Sequence, residues 1–343
     1  MNIYDENGYI AVKKIIKSGT WPFVLFIGGR GTGKTYGVLD FLYEERKQFM
    51  LLRRTQLQAD IISNQQFSPL APLSEDLGFY FETQKLVKQI GMIKIRNGED
   101  EYIAGYTSAL STFSNVRGFN AREIKYLFFD EFNPEPHERL IKDEGGAFLN
   151  CYETINRNRE LYGEPPLTAI LCGNSNTLNS PIFFKLDIIR QVIKAKKIAA
   201  ERGHAIIKLP ERGILLVVFD DSPISNRKSD TALYRASGEG DFSNMALGNS
   251  FTADEESIVQ SKNLREYKLL CTVTSIHIYN HKFNSTYYIS KHRTGTATSQ
   301  FGSGTIDLER FRKKFGYLWR EYLNNKIIFE SYAEELIFKN IFK

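Results

Sequence analysis

Cysteine is scarce in this 343-residue chain: Cys151, Cys172 and Cys271 are odd in number and far apart. That excludes a disulfide framework and any C-x-x-C zinc or redox motif, and it fits a reducing compartment. No window reaches the roughly 18 continuous apolar residues of a membrane span. The opening residues, MNIYDENGYIAVKKIIKSG, carry no apolar stretch behind their charges, so no secretory signal is expected. Long repeats and low-complexity tracts are missing as well. The five histidines, His137, His204, His277, His281 and His292, show no ligand spacing. The expectation is a soluble intracellular protein with no membrane contact and no metal beyond one a nucleotide brings.

Hydrophobic residues make up 42% of the chain and charged residues 25%, which excludes wholesale disorder. The length suits two domains. Lysine and arginine number 45 against 40 acids, a net +5, which allows a polyanionic partner without requiring one.

Short apolar runs without polar alternation recur through the first two-thirds: Phe23–Ile27, Phe49–Leu52, Tyr126–Phe129 and Leu167–Cys172. Such runs read as strands buried on both faces, as in a helix-covered parallel sheet. Helices are expected over Tyr36–Lys47 and Phe148–Leu161, and a hairpin over Lys88–Tyr106 turning at Asn97-Gly98. Gly213–Phe219 is either a last sheet strand or the start of a connector. Ser222–Asp254 is rich in Ser, Gly, Asn and Asp and reads as linker. A β-hairpin over Tyr267–Tyr279 and Ser285–Ser290 follows, then helices over Ile306–Leu323 and Ile327–Phe342. The organisation expected is a P-loop-type α/β domain over 1–208, a linker region over 209–254 and a small α/β domain over 255–343.

The most specific motif is Gly28-Gly29-Arg30-Gly31-Thr32-Gly33-Lys34-Thr35, a full match to G-x-x-x-x-G-K-[ST] between an apolar strand and a helix. Glycines let the backbone N–H groups curl inward around phosphate oxygens. The helix N-terminus adds positive potential, Lys34 reaches the β/γ-phosphates, and Thr35 ligates Mg²⁺. The bland alternative is a Gly-rich turn. About 100 residues on, Tyr126-Leu127-Phe128-Phe129 runs into Asp130-Glu131. A buried strand delivering two acids to a sheet's C-terminal edge suits Asp130 for holding Mg²⁺ and Glu131 for polarising the attacking water. Glu directly after Asp points to motor-type ATPases rather than kinases or small GTPases.

Other residues have weaker patterns. Arg157 and Arg159, at a helix end, are either a solvated basic face or an arginine finger. Asn174 follows the strand Leu167–Cys172 and either meets the γ-phosphate side or simply starts a turn. Arg30 and Arg117 are further phosphate candidates, and Arg53-Arg54 read as a strand-end surface pair. Lys194–Lys197, Arg310–Lys314 and Lys291-His292-Arg293 are either nucleic-acid contacts or solvated faces.

Taken together, GGRGTGKT, FFDEF, the segment TINRNRE, and Leu171–Pro181 with its Asn174 resemble the genome-packaging ATPases of phi-29-like tailed phages. Leu51–Arg54 falls on the second strand of that pattern, and the likeness continues more loosely through Tyr234–Phe251. The resemblance implies an additional-strand P-loop NTPase domain followed by an RNase H-like domain without nuclease acids; Lys268–Lys282, taken as the first strand there, contains neither Asp nor Glu. It implies ATP and Mg²⁺ as cofactors, Arg157 as finger, and Arg117 as a basic residue acting across subunits. It implies a ring, expected to be pentameric, that docks on the portal of a procapsid in the host-cell cytoplasm and drives double-stranded DNA inward. Whether a packaging RNA joins stays open. Alternatives are another DNA-translocating or helicase-type P-loop ATPase, an ATP-gated nucleic-acid-binding assembly protein, and a terminase with a live nuclease.

Overall fold

A computed structural model describes residues 3–342 apart from 117, 119–120, 136–137, 175–177, 179, 220–222 and 224–258. The described residues form two compact units: 3–174 with 194–219, and 178–193 with 259–342.

The chain begins with α1 (Val12–Ile16), β1 (Phe23–Gly28), α2 (Lys34–Glu45), β2 (Gln48–Arg53), α3 (Gln56–Ile62) and α4 (Ala71–Leu77). Then come β3 (Tyr80–Val87), β4 (Ile90–Asn97), β5 (Asp100–Ala109), β6 (Ile124–Asp130), α5 (Glu144–Asn156) and β7 (Thr168–Asn174). α6 (Pro181–Lys185), α7 (Ile189–Arg202), β8 (His204–Leu209) and β9 (Ile214–Phe219) follow.

The sheet of the first unit has nine strands in the order β3-β4-β5-β2-β6-β7-β1-β9-β8. Neighbours from β5 to β9 are parallel, whereas β3, β4 and β8 run antiparallel at the edges. The four apolar runs are central strands, buried along nearly their whole length. β7 lies between β1 and β6, which is the additional-strand arrangement of a P-loop NTPase. Gly213–Phe219 resolves as a strand: β9 pairs with β1 from Phe23 opposite Ile214, so the sheet continues past residue 208.

The hairpin turns as expected, Asn97 opposite Asp100 with Gly98 at φ +64°. β3 adds a third antiparallel strand whose mostly exposed residues hide it from a burial-pattern reading. The helix expected from Phe148 starts earlier, because the Asp143 carboxylate accepts from the Gly146 N–H and caps it. It also ends earlier: Arg157 takes φ +51°, and a separate 3₁₀ turn covers Arg159–Tyr162.

The second unit contains β10 (Tyr267–Val273), β11 (Ile276–His281), β12 (Tyr287–Ser290), β13 (Gln300–Phe301), α8 (Thr305–Phe315), α9 (Tyr317–Leu323), β14 (Ile327–Phe329) and α10 (Tyr332–Phe342). Its sheet order is β13-β10-β11-β12-β14. The stretch Lys268–Lys282 is therefore two antiparallel strands, turning at Thr274 (φ +50°) and Ser275, rather than one. The helix expected over Ile306–Leu323 breaks at Gly316, where a Cβ would lie 2.6 Å from the Arg312 carbonyl oxygen. The one expected over Ile327–Phe342 begins as a strand, since Ile327–Phe329 pairs with β12 and buries both ends of the run.

Within this unit Arg190 donates from Nε to Glu334 at 2.8 Å and from Nη1 and Nη2 to Ser275. The Glu334 side chain is only 1% exposed. Removing the cation strands a buried carboxylate, which costs far more than an exposed pair is worth. Arg190→Ala is expected to lower unfolding stability by about 3 kcal/mol, read by urea denaturation, with Arg190→Lys intermediate.

Candidate active site

β1 ends at Gly28 and α2 starts at Lys34, so the intervening loop must reverse direction within one turn. Gly33 caps the helix at φ +86°, a conformation that a side chain would strain. Gly28 is needed for another reason: a Cβ there would lie 2.0 Å from the Phe219 ring. Lys34 is buried, and its Nζ donates to the carbonyl oxygens of Gly28 at 3.0 Å and Gly29 at 2.5 Å. The ammonium is thereby held above the loop whose N–H groups and helix N-terminus form an anion cradle.

The parallel sheet brings the acids to the same edge. Asp130, the last residue of β6, is 2% exposed, and its Oδ1 accepts from Thr35 Oγ1 at 3.0 Å. Burial pushes its carboxyl above the ordinary carboxylate range, against the pull of Arg53. Oδ2 lies 2.9 Å from Arg53 Nη2, yet the alignment is not that of a hydrogen bond. Glu131 follows at φ +54°, an uncommon conformation for a non-glycine residue, and its side chain is 59% exposed. Its Oε2 lies 2.5 Å from Arg53 Nη1, so one guanidinium bridges both acids.

This overturns the reading of Arg53-Arg54 as a surface pair. Arg54 is wholly buried, donating to Glu144 through Nε (2.6 Å) and Nη2 (3.0 Å) and to Glu138 through Nη1 (2.5 Å). Glu138 also accepts from the Glu135 N–H, and Glu135 accepts from Arg30 Nη2 at 2.6 Å. A continuous set of charge-assisted contacts thus runs from the P-loop to the first turn of α5.

A cavity of about 1310 Å³ opens over these groups, ample for a nucleotide. Arg30, Gly31, Thr32, Gly33, Lys34, Thr35, Asp130, Glu131 and Asn174 all line it. So do Glu135, Glu138 and Tyr9, whose segment is tied to the loop by Ile10 N–H donating to Thr32 O at 3.1 Å. Asn174 ends β7 opposite Gly28, and its carbonyl accepts from Asn133 Nδ2 at 3.0 Å. Thr35 and Asp130 offer hard oxygens converging beside the phosphate cradle, the donor chemistry that Mg²⁺ takes.

Arg157 does not line this cavity; it is exposed at the end of α5. Arg159 plays a different part. It is buried, and its Nη2 donates to the carbonyls of Ala121 (3.1 Å), Arg122 (2.9 Å) and Ile124 (2.5 Å). Arg117 lies outside the described residues, as does Tyr234–Phe251. Of the basic stretches, Lys194 and Lys197 are exposed on α7, and Lys291-His292-Arg293 is exposed after β12. In Arg310–Lys314 the middle cation is structural, Arg312 Nε donating to the Ile341 carbonyl at 2.7 Å, while Arg310 and Lys313 face solvent.

Compared with protein families, residues 5–340 match the Podovirus DNA encapsidation protein (Gp16) family. The chain belongs to this family. Membership makes it a Podovirus-type DNA encapsidation protein. Its fold is similar to that of the Phi-28 gp11 DNA packaging motor, at 21% identity over 96% of this chain and 95% of that one, TM-score 0.62. It is likewise similar to the chain in the bacteriophage Phi-29 genome packaging motor assembly, at 15% identity over 99% of each, TM-score 0.62. No curated protein sequence matches it. Among the described residues, no helix is long and apolar enough to cross a membrane.

The two arginines of the Gp16-family segment TINRNRE should separate experimentally. Arg159→Ala removes one buried donor shared by three carbonyls and is expected to cost about 2–3 kcal/mol of stability. Arg157→Ala is expected to leave stability within about 0.5 kcal/mol. Urea unfolding of both variants checks this.

Proposed function

We propose that the chain hydrolyses Mg²⁺-ATP in this cavity and uses the cycle to drive double-stranded DNA through a portal into a procapsid. The observation that carries the reading is the convergence of the P-loop, Thr35 and the paired acids Asp130-Glu131 at one sheet edge, with Thr35 Oγ1 3.0 Å from Asp130. The loop N–H groups and Lys34 hold the β/γ-phosphates. Thr35 and Asp130 hold Mg²⁺, which when bound neutralises charge on the transferring phosphate. Glu131 orients the attacking water and takes its proton, for which its carboxylate must exchange Arg53 for water. Asn174, at the mouth of β7, faces the γ-phosphate side.

Arg157 supports an assembly rather than a lone subunit. Exposed and outside its own chain's cavity, it would serve as a finger on a neighbour's nucleotide, in a ring expected to have five copies. The ring would work in the host cytoplasm, docked transiently on the portal. β10 and β11 contain no acid, so the second unit is read as a DNA- or portal-contacting module without nuclease activity. Its exposed cations suit backbone phosphates of DNA or RNA alike.

Lys34→Ala is expected to abolish turnover. Glu131→Gln is expected to bind ATP and stall; unchanged activity would favour an assembly protein merely gated by ATP. Arg157→Ala is expected to lose about 10³-fold in kcat. Mixed with Glu131→Gln on linear duplex DNA, it should regain activity, because each protein supplies what the other lacks. A mixture as inactive as its parts, beside an active wild type, removes the finger assignment. A wild type indifferent to DNA removes the motor reading.

A further inference from the structure

The cavity extends beyond its phosphate cradle. Its buried polar lining, Thr32, Lys34, Asp130 and Asn133, gathers at the P-loop and the sheet edge. A different wall is built by residues 9–12, which pack on the first turn of α2: a Cβ on Gly37 would lie 2.8 Å from Val12 Cγ2 and 3.6 Å from the Ile10 carbonyl oxygen. Tyr9 stands where this wall meets the loop. Its ring abuts Gly33, where a Cβ would lie 2.9 Å from Tyr9 Cδ1, yet 39% of the residue stays exposed. The backbone beneath it is fixed, the Ile10 N–H donating to Thr32 O at 3.1 Å and the Ala11 N–H to Ile3 O at 2.7 Å. An aromatic ring held against a phosphate loop, with accessible surface in the cavity, is a stacking platform for a base.

We propose that Tyr9 is the residue on which the nucleotide's base stacks, and that the site accepts purine nucleoside triphosphates as a class, because the wall around Tyr9 does not read the base edge. This rests on the ATP-site reading above. A site built to hydrogen-bond its substrate rejects the analogue lacking that group by about 10⁴–10⁵-fold, and it needs donors that are uncommitted and shielded from water. Adenine N1 and guanine O6 each call for a donor, and every N–H of residues 7–12 is already engaged. Asn7 and Tyr9 donate to the Asp5 carboxylate, Gly8 to Asp5 O, Ile10 to Thr32 O, Ala11 to Ile3 O and Val12 to Ile10 O. The polar side chains along this wall, Asp5, Asn7, Lys13, Lys14 and Lys17, are exposed, so water competes for them. Lys13 and Lys17 are also ion-paired, with Glu44 and Glu45. Recognition therefore falls to stacking, which tolerates any base and favours the larger purine surface. Tyr36, the other tyrosine in the lining, is engaged with α4, its hydroxyl donating to Asp76 Oδ2 at 2.7 Å.

The test is equilibrium binding to the full chain, by calorimetry, of the β,γ-imido analogues of ATP, GTP, CTP and UTP and of inorganic tripolyphosphate. Wild type is expected to bind the two purine analogues within about tenfold of each other and the pyrimidine analogues more weakly. Tyr9→Ala is expected to weaken both purine analogues by about tenfold or more while tripolyphosphate binds as to wild type, and Tyr9→Trp is expected to restore them. Photolysis of bound 2-azido-ATP should place the label on residues 7–12, read by peptide mass spectrometry. Should Tyr9→Ala fail to fold, the wild-type analogue ranking and the label position still decide. An ATP analogue bound about a thousandfold more tightly than the GTP analogue overturns the proposal, since the base edge is then read. So do pyrimidine analogues bound as tightly as purine ones, or a label on Tyr36 with none on residues 7–12. Equal loss of tripolyphosphate binding in Tyr9→Ala overturns it too, and leaves Tyr9 a brace of the P-loop. A wild type that binds neither the nucleotides nor tripolyphosphate defeats the ATP-site reading itself, an outcome distinct from all of these.

Discussion

A buried carboxylate is tolerable only when its surroundings compensate its charge, and Asp130 sets that constraint for the first unit. At 2% exposure it leans on the Thr35 hydroxyl and on the nearby guanidinium of Arg53. Each partner arrives from a different element: Thr35 from the first turn of α2, Arg53 from the end of β2. The sheet order places β2 directly beside β6, so Arg53 can reach both Asp130 and Glu131. With β7 between β6 and β1, the acids and the P-loop stand one strand apart. β7 ends in that gap, which is why Asn174 at its end lines the cavity.

The same economy governs the neighbouring cation. Arg54 is more deeply buried than Arg53, and it is satisfied by Glu144 and Glu138 rather than by Asp130 and Glu131. Arg53 ends β2 and Arg54 is the residue just past it, so a two-arginine sequence serves two carboxylate clusters. Glu138 in turn braces Glu135, which meets Arg30 of the P-loop. Glu135 and Glu138, each in an ion pair, thus stand on the cavity wall.

Much of this was legible in the sequence, because buried parallel strands announce themselves as unbroken apolar runs. The common sheet edge of the P-loop and Asp130-Glu131 was readable because an unbroken apolar strand leads into each. β3 was not, since an edge strand with one solvated face lacks that signature. The helix ends around Gly316 and Ile327 were missed because an apolar run of three serves a strand or a helix equally until its pairing partner is known. Arg53 and Arg54 were misread for a related reason. Charge at a strand end suggests solvent, and only the sheet order reveals that carboxylates wait on both faces.

Arg157 and Arg159 show how far two residues of one type, two positions apart, can diverge. Asn156 closes α5, and the positive φ at Arg157 turns the chain so that alternate side chains separate. Arg159 folds inward and exchanges its hydration for three carbonyls, a burial that pulls its pKa below the ordinary arginine value. Arg157 stays exposed. A finger must be mobile enough to enter another subunit's site, yet mounted on something that does not move. On the proposed reading of Arg157 as a finger, the inward arginine supplies the mount and the outward one the charge. Sequence spacing alone could not divide those roles, because the division is made by one backbone dihedral.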